Sequence, residues 1–125
     1  MSNLKLRFVD LRQANMKRIP QFRNSLGNIA HPNPDGSDWS LNDWMTAVCG
    51  EVGELANELK KIRRGDCTLE EVKKKVSDEI ADIAIYLDIL AFQCGIELDT
   101  AVISKFNEVS LKRHCNVFLD EAGVI

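Results

Sequence analysis

Transition-metal and disulfide signatures are absent from this chain of 125 residues. Its four cysteines include no Cys-x-x-Cys pair, and neither of its two histidines stands three residues after a glutamate. Zinc sites and disulfide frameworks depend on regular cysteine spacing, and helical di-iron sites use Glu-x-x-His pairs. The sequence therefore predicts none of these sites. Cys49 and Cys94 lie within helical patterns and are expected to be buried, reduced thiols.

Long apolar runs and a strong excess of either charge are also missing. Residues 1–10 carry charged side chains where a signal peptide would have its apolar segment, and no stretch approaches the ~20 apolar residues that cross a bilayer. The net charge of −3 gives no reason to expect nucleic-acid binding. We expect one cytoplasmic domain over residues 1–125, without a membrane or nucleic-acid partner.

The alternation of polar and apolar residues that is typical of strands is missing as well, and helical periodicity dominates. Pro20 should disturb the first helix, and Asp99 is predicted to cap the fourth. The pairs Ser40–Asp43 and Thr68–Glu71 are predicted capping boxes at the starts of the second and third helices. The predicted helices span about residues 3–23, 40–64, 68–94 and 99–114, with a loop over 24–39. The fold class is an all-α bundle of four to five helices.

Two acidic motifs lie inside the two longest predicted helices: Glu51-x-x-Glu54 and Glu79-x-x-Asp82. A helix advances by about 100° per residue, so these carboxylates fall within the apolar stripe of each helix. Unpaired buried carboxylates are costly, and a cationic partner is therefore expected. The apolar residues on the same side include Trp44, Val48, Leu55, Leu59 and Ile62 in the second helix, and Val72, Val76, Ile83, Tyr86, Leu87 and Leu90 in the third.

A connection of three residues, Gly65-Asp66-Cys67, joins these helices and should make them antiparallel neighbours. The two motifs stand at similar distances from this turn, so all four carboxylates should converge at one height. Hard divalent cations prefer oxygen ligands, and the sequence predicts a Mg²⁺ site, with Mn²⁺ as a substitute. The alternative is that the acids pair with lysines or arginines of neighbouring helices or of another subunit.

The paired motifs, separated by 24 residues, resemble the MazG-like branch of the all-α nucleoside triphosphate pyrophosphohydrolases. The likeness covers about residues 37–115, and the size resembles a small stand-alone member, such as the integron-associated ones, rather than a tandem-domain MazG. It rests on four segments: Gly50-Glu51-Val52-Gly53-Glu54-Leu55-Ala56-Asn57, Lys60-Lys61-Ile62-Arg63-Arg64-Gly65, Asp78-Glu79-Ile80-Ala81-Asp82-Ile83 and Lys105-Phe106-Asn107-Glu108-Val109-Ser110.

This resemblance implies Mg²⁺-dependent cleavage of a nucleoside triphosphate, with a deoxynucleotide preferred, to the monophosphate and pyrophosphate. Glu51, Glu54, Glu79 and Asp82 match the family's metal-binding acids, and Glu51 or Glu54 is expected to orient or deprotonate the water that attacks the α-phosphorus. The biological role implied is house-cleaning of the nucleotide pool. Members of the family form dimers or dimers of dimers, so a homodimer or homotetramer is expected.

Six further residues are candidates for contacts with the substrate. Lys105 matches a family lysine that contacts the triphosphate, but the asparagine that some relatives carry four residues later is Val109 here. Tyr86 corresponds to a sugar- or base-contacting tyrosine of some relatives, with core packing as the alternative. Trp39 is a candidate for stacking on the base. The other candidates are Lys61, Arg113 and Asn107, the last of which can instead serve a helix end or another subunit.

Three other functions remain open at this point. Phosphoribosyl-ATP pyrophosphohydrolases resemble the same family in fold and metal use, and a dUTPase-like activity is a second enzymatic alternative. A non-catalytic helical interaction module is the alternative from another class. Such a module would not need all four carboxylates.

Overall fold

The computed structural model of the protein describes residues 5–125 and contains four α-helices packed as a bundle. They are α1 (Phe8–Arg18), α2 (Leu41–Arg63), α3 (Leu69–Gln93) and α4 (Leu98–Lys112). A 3-10 turn at Ile19–Gln21 extends α1. Two short antiparallel strands, β1 (Leu119–Asp120) and β2 (Gly123–Val124), form a hairpin after α4. The predicted all-α bundle is confirmed, although no strand was expected. Residues 3 and 4, which the prediction placed in the first helix, lie outside the described range.

The starts and ends of α2 and α3 follow from their capping residues. The Ser40 hydroxyl accepts the Asp43 N–H at 3.1 Å, while the Asp43 carboxylate accepts the Ser40 N–H at 2.8 Å. Thr68 and Glu71 form the same reciprocal pair at the start of α3. Gly65, at a φ of +84°, takes the left-handed conformation that ends α2. Both predicted capping boxes are confirmed.

Both ends of α1 and the start of α4 differ from the prediction, and residues 5–7, expected in the first helix, precede α1. Pro20 lacks an N–H, and the chain tightens from α1 into the 3-10 turn instead of continuing as an α-helix to residue 23. At α4 the N-cap is Glu97, so Asp99 lies inside the first turn and the prediction that it caps the helix was wrong. Its carboxylate accepts the neighbouring Thr100 N–H at 2.6 Å instead.

The buried core joins the 3-10 turn, α2 and α3 through Ile19, Trp44 and Ile89. The loop before α2 is fixed to this core, because the Trp44 indole N–H donates to the Gly36 carbonyl at 3.0 Å. Gly36 has a φ of +78°, and a Cβ there would stand 2.8 Å from the Trp44 ring. Only glycine fits this approach, and the loop is thereby held over the start of α2.

A buried polar network docks α1 onto α3. Asp88 is completely buried and accepts the Arg12 Nε–H at 3.1 Å and the Asn15 amide at 2.9 Å. Arg12 also donates to the Ile96 carbonyl at 2.8 Å. Because each partner comes from a different turn or helix, the network fixes both the height and the rotation of α1 against α3.

Cys49 and Cys94 are exposed, so the prediction that they are buried thiols was wrong. Cys49 lies two residues before Glu51, which turns its side chain about 200° away from the face that packs on α3. Cys94 is the C-cap at the end of α3. Among residues 5–125, no helix has the length and apolar character required to cross a membrane.

A candidate cation site between the two long helices

Three carboxylates from the two long helices meet at one point. Glu51 on α2 and Glu79 and Asp82 on α3 each offer one oxygen atom, and these atoms all lie within 4.8 Å of one another. All three side chains are half-buried. The convergence follows from the short α2–α3 turn, which makes the helices antiparallel and sets the two motifs at one height.

Two of these carboxylates carry an oxygen that the rest of the described chain leaves unsatisfied. The Oε2 atoms of Glu51 and Glu79 are buried and have no hydrogen-bond partner among residues 5–125. A buried, unpartnered carboxylate oxygen costs free energy, and such atoms are rare in native proteins. Oxygen ligands of this kind, clustered and charged, fit a hard divalent cation.

Glu54 is exposed and stands beside Glu79 at the edge of the cluster. The close approach of the Glu79 side chain raises the pKa of the Glu54 carboxyl, and the charge of Glu79 adds to the rise. Glu51 in turn raises the pKa of Glu79, and burial adds to that rise. Like charges held this close raise one another's pKa values, and a bound cation would relieve that repulsion.

Ion pairing within the chain does not account for these acids. None of the ion pairs between residues 5–125 involves Glu51, Glu54, Glu79 or Asp82. The four carboxylates therefore lack the lysine or arginine partners that the alternative interpretation requires of this subunit.

An open groove of about 470 Å³ begins beside the cluster and runs towards the α2–α3 turn. Glu54 and Glu79 line its acidic end, and four basic side chains line the remainder. Anionic groups bound along it would meet a cation at one end and these ammonium and guanidinium groups at the other. The lining residues beyond the two acids are Asn57, Glu58, Lys60, Lys61, Arg64 and Lys75.

Five groove residues, among them Glu58 and Lys75, were not among the sequence candidates. Glu58 is buried, with its Oε1 atom accepting the Lys61 ammonium at 3.1 Å and lying 3.6 Å from the Lys75 ammonium. Lys61 also holds the pKa of Glu58 below its usual value. The sequence could have indicated Glu58, because it is a charged residue in the apolar stripe of α2. Lys75 could not have been singled out, because nothing in the sequence distinguishes it from its neighbouring lysines.

Of the two aromatic candidates, Tyr86 lies near the carboxylates and Trp39 packs on the core aromatics. Tyr86 packs against the core cluster, and burial raises the pKa of its hydroxyl, with the charges of Glu51 and Asp82 adding to the rise. Trp39 is partly exposed, and its ring centroid lies 4.7 Å from that of Trp44 and 4.8 Å from that of His31. His31 is held by Asp38 at 3.1 Å.

The candidates on and after α4 are not brought to the cluster of this subunit. Among the described residues, α4 packs on α1, α3 and β1 and has no contact with α2. Lys105 is exposed and pairs with Glu108 at 3.3 Å, and Arg113 is the exposed C-cap of α4. The amide of Asn107 donates to and accepts from the Leu119 backbone, at 2.8 Å each, so it has a structural role in fixing the hairpin.

Comparison of the chain with protein-family descriptions, with curated proteins and with solved structures found no match.

Proposed function

We propose that the protein is a Mg²⁺-dependent nucleoside triphosphate pyrophosphohydrolase of the MazG-like kind. The observation that carries the proposal is the cluster of Glu51, Glu79 and Asp82, with its unsatisfied buried oxygens, beside a groove of basic residues. A metal site and a phosphate-binding groove side by side are the two parts that phosphoryl chemistry requires.

The three clustered carboxylates would hold the metal. A bound Mg²⁺ would supply neutralisation of negative charge on phosphate oxygens and on the departing group. The donor set fits this ion, because it consists of carboxylate oxygens alone and leaves room for water and for substrate oxygens.

Glu54 would orient the attacking water and accept its proton. It is exposed at the edge of the cluster, outside the group of three whose oxygens converge, and its carboxylate faces the groove. The water oxygen forms a bond to the α-phosphorus, the bond from that phosphorus to the bridging oxygen breaks, and pyrophosphate leaves. Lys61 and Lys75 would bind the leaving phosphates at the basic end of the groove.

The sugar and base would lie on the opposite side of the cluster from the lysines. Tyr86 and the exposed edge of Trp39 are available there, and an aromatic face stabilises a stacked base. If the deoxyribose packs against the Tyr86 ring, that contact would exclude a ribose, which carries a 2′-hydroxyl. Lys105 and Arg113 would act only if another subunit supplies them, since α4 does not reach α2 within this chain.

Self-association is proposed from a second feature, which we call the outer face of the α2–α3 hairpin. It consists of six large apolar side chains that are each 41–54% exposed: Met45, Val52, Leu59, Leu69, Ile80 and Leu87. Three of them recur every seven residues along α2, the spacing of a helix–helix seam. Lys61 lies about 200° from Leu59 around α2, so a second copy on the outer face would leave the groove open.

The expected solution species is a dimer with twice the 14.1 kDa mass of one chain. Ile80→Asp is expected to yield the monomer, because it buries a charge in the seam. Sedimentation equilibrium measures the mass, and Leu111→Asp is the matched control, since Leu111 is exposed on α4 outside the outer face. A monomeric wild type would refute this part of the proposal.

The proposed reaction is tested by measuring pyrophosphate release from a panel of NTPs and dNTPs with Mg²⁺. Asp82→Asn is expected to lower turnover by about 100-fold or more, because it removes one carboxylate of the cluster. Asp78→Asn is the matched control, one turn earlier on α3, where Asp78 is exposed and paired with Lys74. It is expected to retain full turnover.

The same panel, extended to phosphoribosyl-ATP, separates the enzymatic alternatives. Turnover restricted to phosphoribosyl-ATP or to dUTP would replace the proposed substrate class. A folded protein that releases no pyrophosphate from any of these compounds would refute the proposed reaction and favour an interaction module built on the outer face.

A further inference from the structure

Glu58 is a buried carboxylate that the proposed reaction does not use. Glu58 is 7% exposed and lines the groove, and its Oε2 atom is buried without a hydrogen-bond partner among residues 5–125. Glu58 stands four residues after Glu54 on the same face of α2, one turn nearer to the α2–α3 turn. A residue that is costly to bury and is not one of the clustered acids needs another reason to be there.

Glu58 joins two lysines that come from different helices. Lys61 of α2 donates to Oε1 at 3.1 Å, and the Lys75 ammonium of α3 lies 3.6 Å from the same atom. Both ammonium groups also line the groove, and their side chains are 42% and 68% exposed. Each ammonium has three N–H donors, so one can bind Glu58 while the others remain available to a ligand.

We propose that Glu58 is a positioning residue that holds Lys61 and Lys75 together as a seat for a diphosphate group. The inference rests on the proposed function, in which that group is the part of the substrate that leaves as pyrophosphate. Lys61 lies seven residues beyond Glu54 along α2, a rise of about 10 Å. The seat is therefore displaced along the groove from the clustered carboxylates, in the direction that an extended phosphate chain would take.

Two effects of removing the Glu58 charge oppose each other, and their balance tests the proposal. Without the carboxylate, the groove carries one more net positive charge, which attracts an anion more strongly. Without the charge-assisted hydrogen bond, two flexible lysine stems lose their common anchor and must be ordered by the ligand. Since Lys61 and Lys75 are partly solvated, screening weakens the charge effect, and we expect the loss of order to prevail.

The experiment measures binding of inorganic pyrophosphate by calorimetry in the presence of Mg²⁺, together with KM and kcat for the preferred nucleotide. Glu58→Gln preserves shape and one acceptor but removes the charge. It is expected to weaken pyrophosphate binding and raise KM by about tenfold, the size typical of groups coupled in one network, with little change in kcat. Glu70→Gln is the matched control, because Glu70 pairs with Lys73 at the same spacing but is exposed and outside the groove.

The result for Glu58→Gln decides whether Glu58 positions the two lysines or has another role. Tighter or unchanged pyrophosphate binding in folded Glu58→Gln would overturn the proposal, because a mere charge neighbour or a purely structural residue gives those results. If Glu58→Gln does not fold, Lys75→Gln replaces it, since that exposed residue is dispensable for packing. Unchanged pyrophosphate binding in Lys75→Gln would also overturn the proposal.

A double variant adds a second criterion. Glu58→Gln and Lys75→Gln should weaken pyrophosphate binding together by little more than either does alone, because they disable the same seat. Full additivity would contradict the positioning role. Failure of the proposed function would give a different result. If the wild type releases no pyrophosphate from nucleotides but binds pyrophosphate, and Glu58→Gln binds it more weakly, the seat is retained and only the reaction is refuted.

Discussion

Glu79→Gln is expected to raise the thermal unfolding midpoint of the metal-free protein and to abolish its stabilisation by Mg²⁺. The first effect arises because the variant removes one negative charge from a cluster in which Glu51 already raises the pKa of Glu79. The second arises because the variant replaces one of the three converging carboxylates with a neutral amide. In the wild type, free Mg²⁺ at 100-fold above its Kd would add about 2.7 kcal/mol. Nucleotide turnover should fall by about 100-fold or more.

The gain in the metal-free protein should depend on pH with a definite sign. A carboxyl whose pKa is raised on folding retains its proton longer in the folded state, so wild-type stability falls as pH rises through that window. The advantage of Glu79→Gln should therefore be small below the ordinary glutamate pKa and reach its full size at neutral pH. Differential scanning calorimetry between acid and neutral pH, with and without Mg²⁺, measures both effects.

Glu71→Gln is the control of opposite sign on the same helix. Thr68 lowers the pKa of Glu71 through the capping hydrogen bonds, so the stability that this carboxylate contributes is present at neutral pH and lost on acidification. The control should not gain stability at neutral pH and should respond to Mg²⁺ as the wild type does. Equal midpoints for Glu79→Gln and wild type, with and without Mg²⁺, would contradict the cation site.

Arg12→Met is expected to lower the free energy of unfolding by about 3–5 kcal/mol, the cost typical of removing one partner from a buried ion pair. Asp88 is completely buried, and Arg12 is its only charged partner among the ion pairs of residues 5–125. Total stabilities of domains are about 5–15 kcal/mol, so this is a large share. Arg12 also lies over the Phe92 ring at 5.6 Å, a contact that the variant weakens.

Urea denaturation measures this loss, and two variants bracket its cause. Arg7→Met breaks the exposed Arg7–Asp10 pair on the same helix and should shift the midpoint far less, since exposed pairs contribute little. Adding Asp88→Leu to Arg12→Met should recover much of the stability, because the uncompensated charge is then gone. A double variant as unstable as Arg12→Met alone would contradict a charge origin.

Local signals were sufficient to predict the hairpin that carries the candidate site. Ser40, Thr68 and Gly65 act through contacts within a few residues, so the starts of α2 and α3 and the turn between them could be derived from sequence. The convergence of the acidic motifs follows from the length of that turn. Glu51, Glu79 and Asp82 meet as this geometry requires, while the identity of the cation remains a prediction.

Features that depend on distant contacts were missed. The Arg12–Asp88 network joins residues 76 positions apart, and no local pattern announces it. The β-hairpin has strands of two residues and is held by the Asn107 side chain, so it shows no alternation to detect. Leu59 and Leu87 lie about 80° around their helices from Glu51 and Glu79, at the edge of each apolar stripe. The α2–α3 hairpin leaves both side chains exposed instead of burying them in the core.

The three-residue connection between α2 and α3 also bears on how the site is acquired as the chain folds. All four acids lie between residues 51 and 82, so closing one helical hairpin brings them together. Short-range closure costs little chain entropy, and contacts of low sequence separation form early. The clustered carboxylate oxygens are thus brought together by the closure of one helical hairpin. The Arg12–Asp88 contact joins residues 76 positions apart, and we expect it to form after this hairpin.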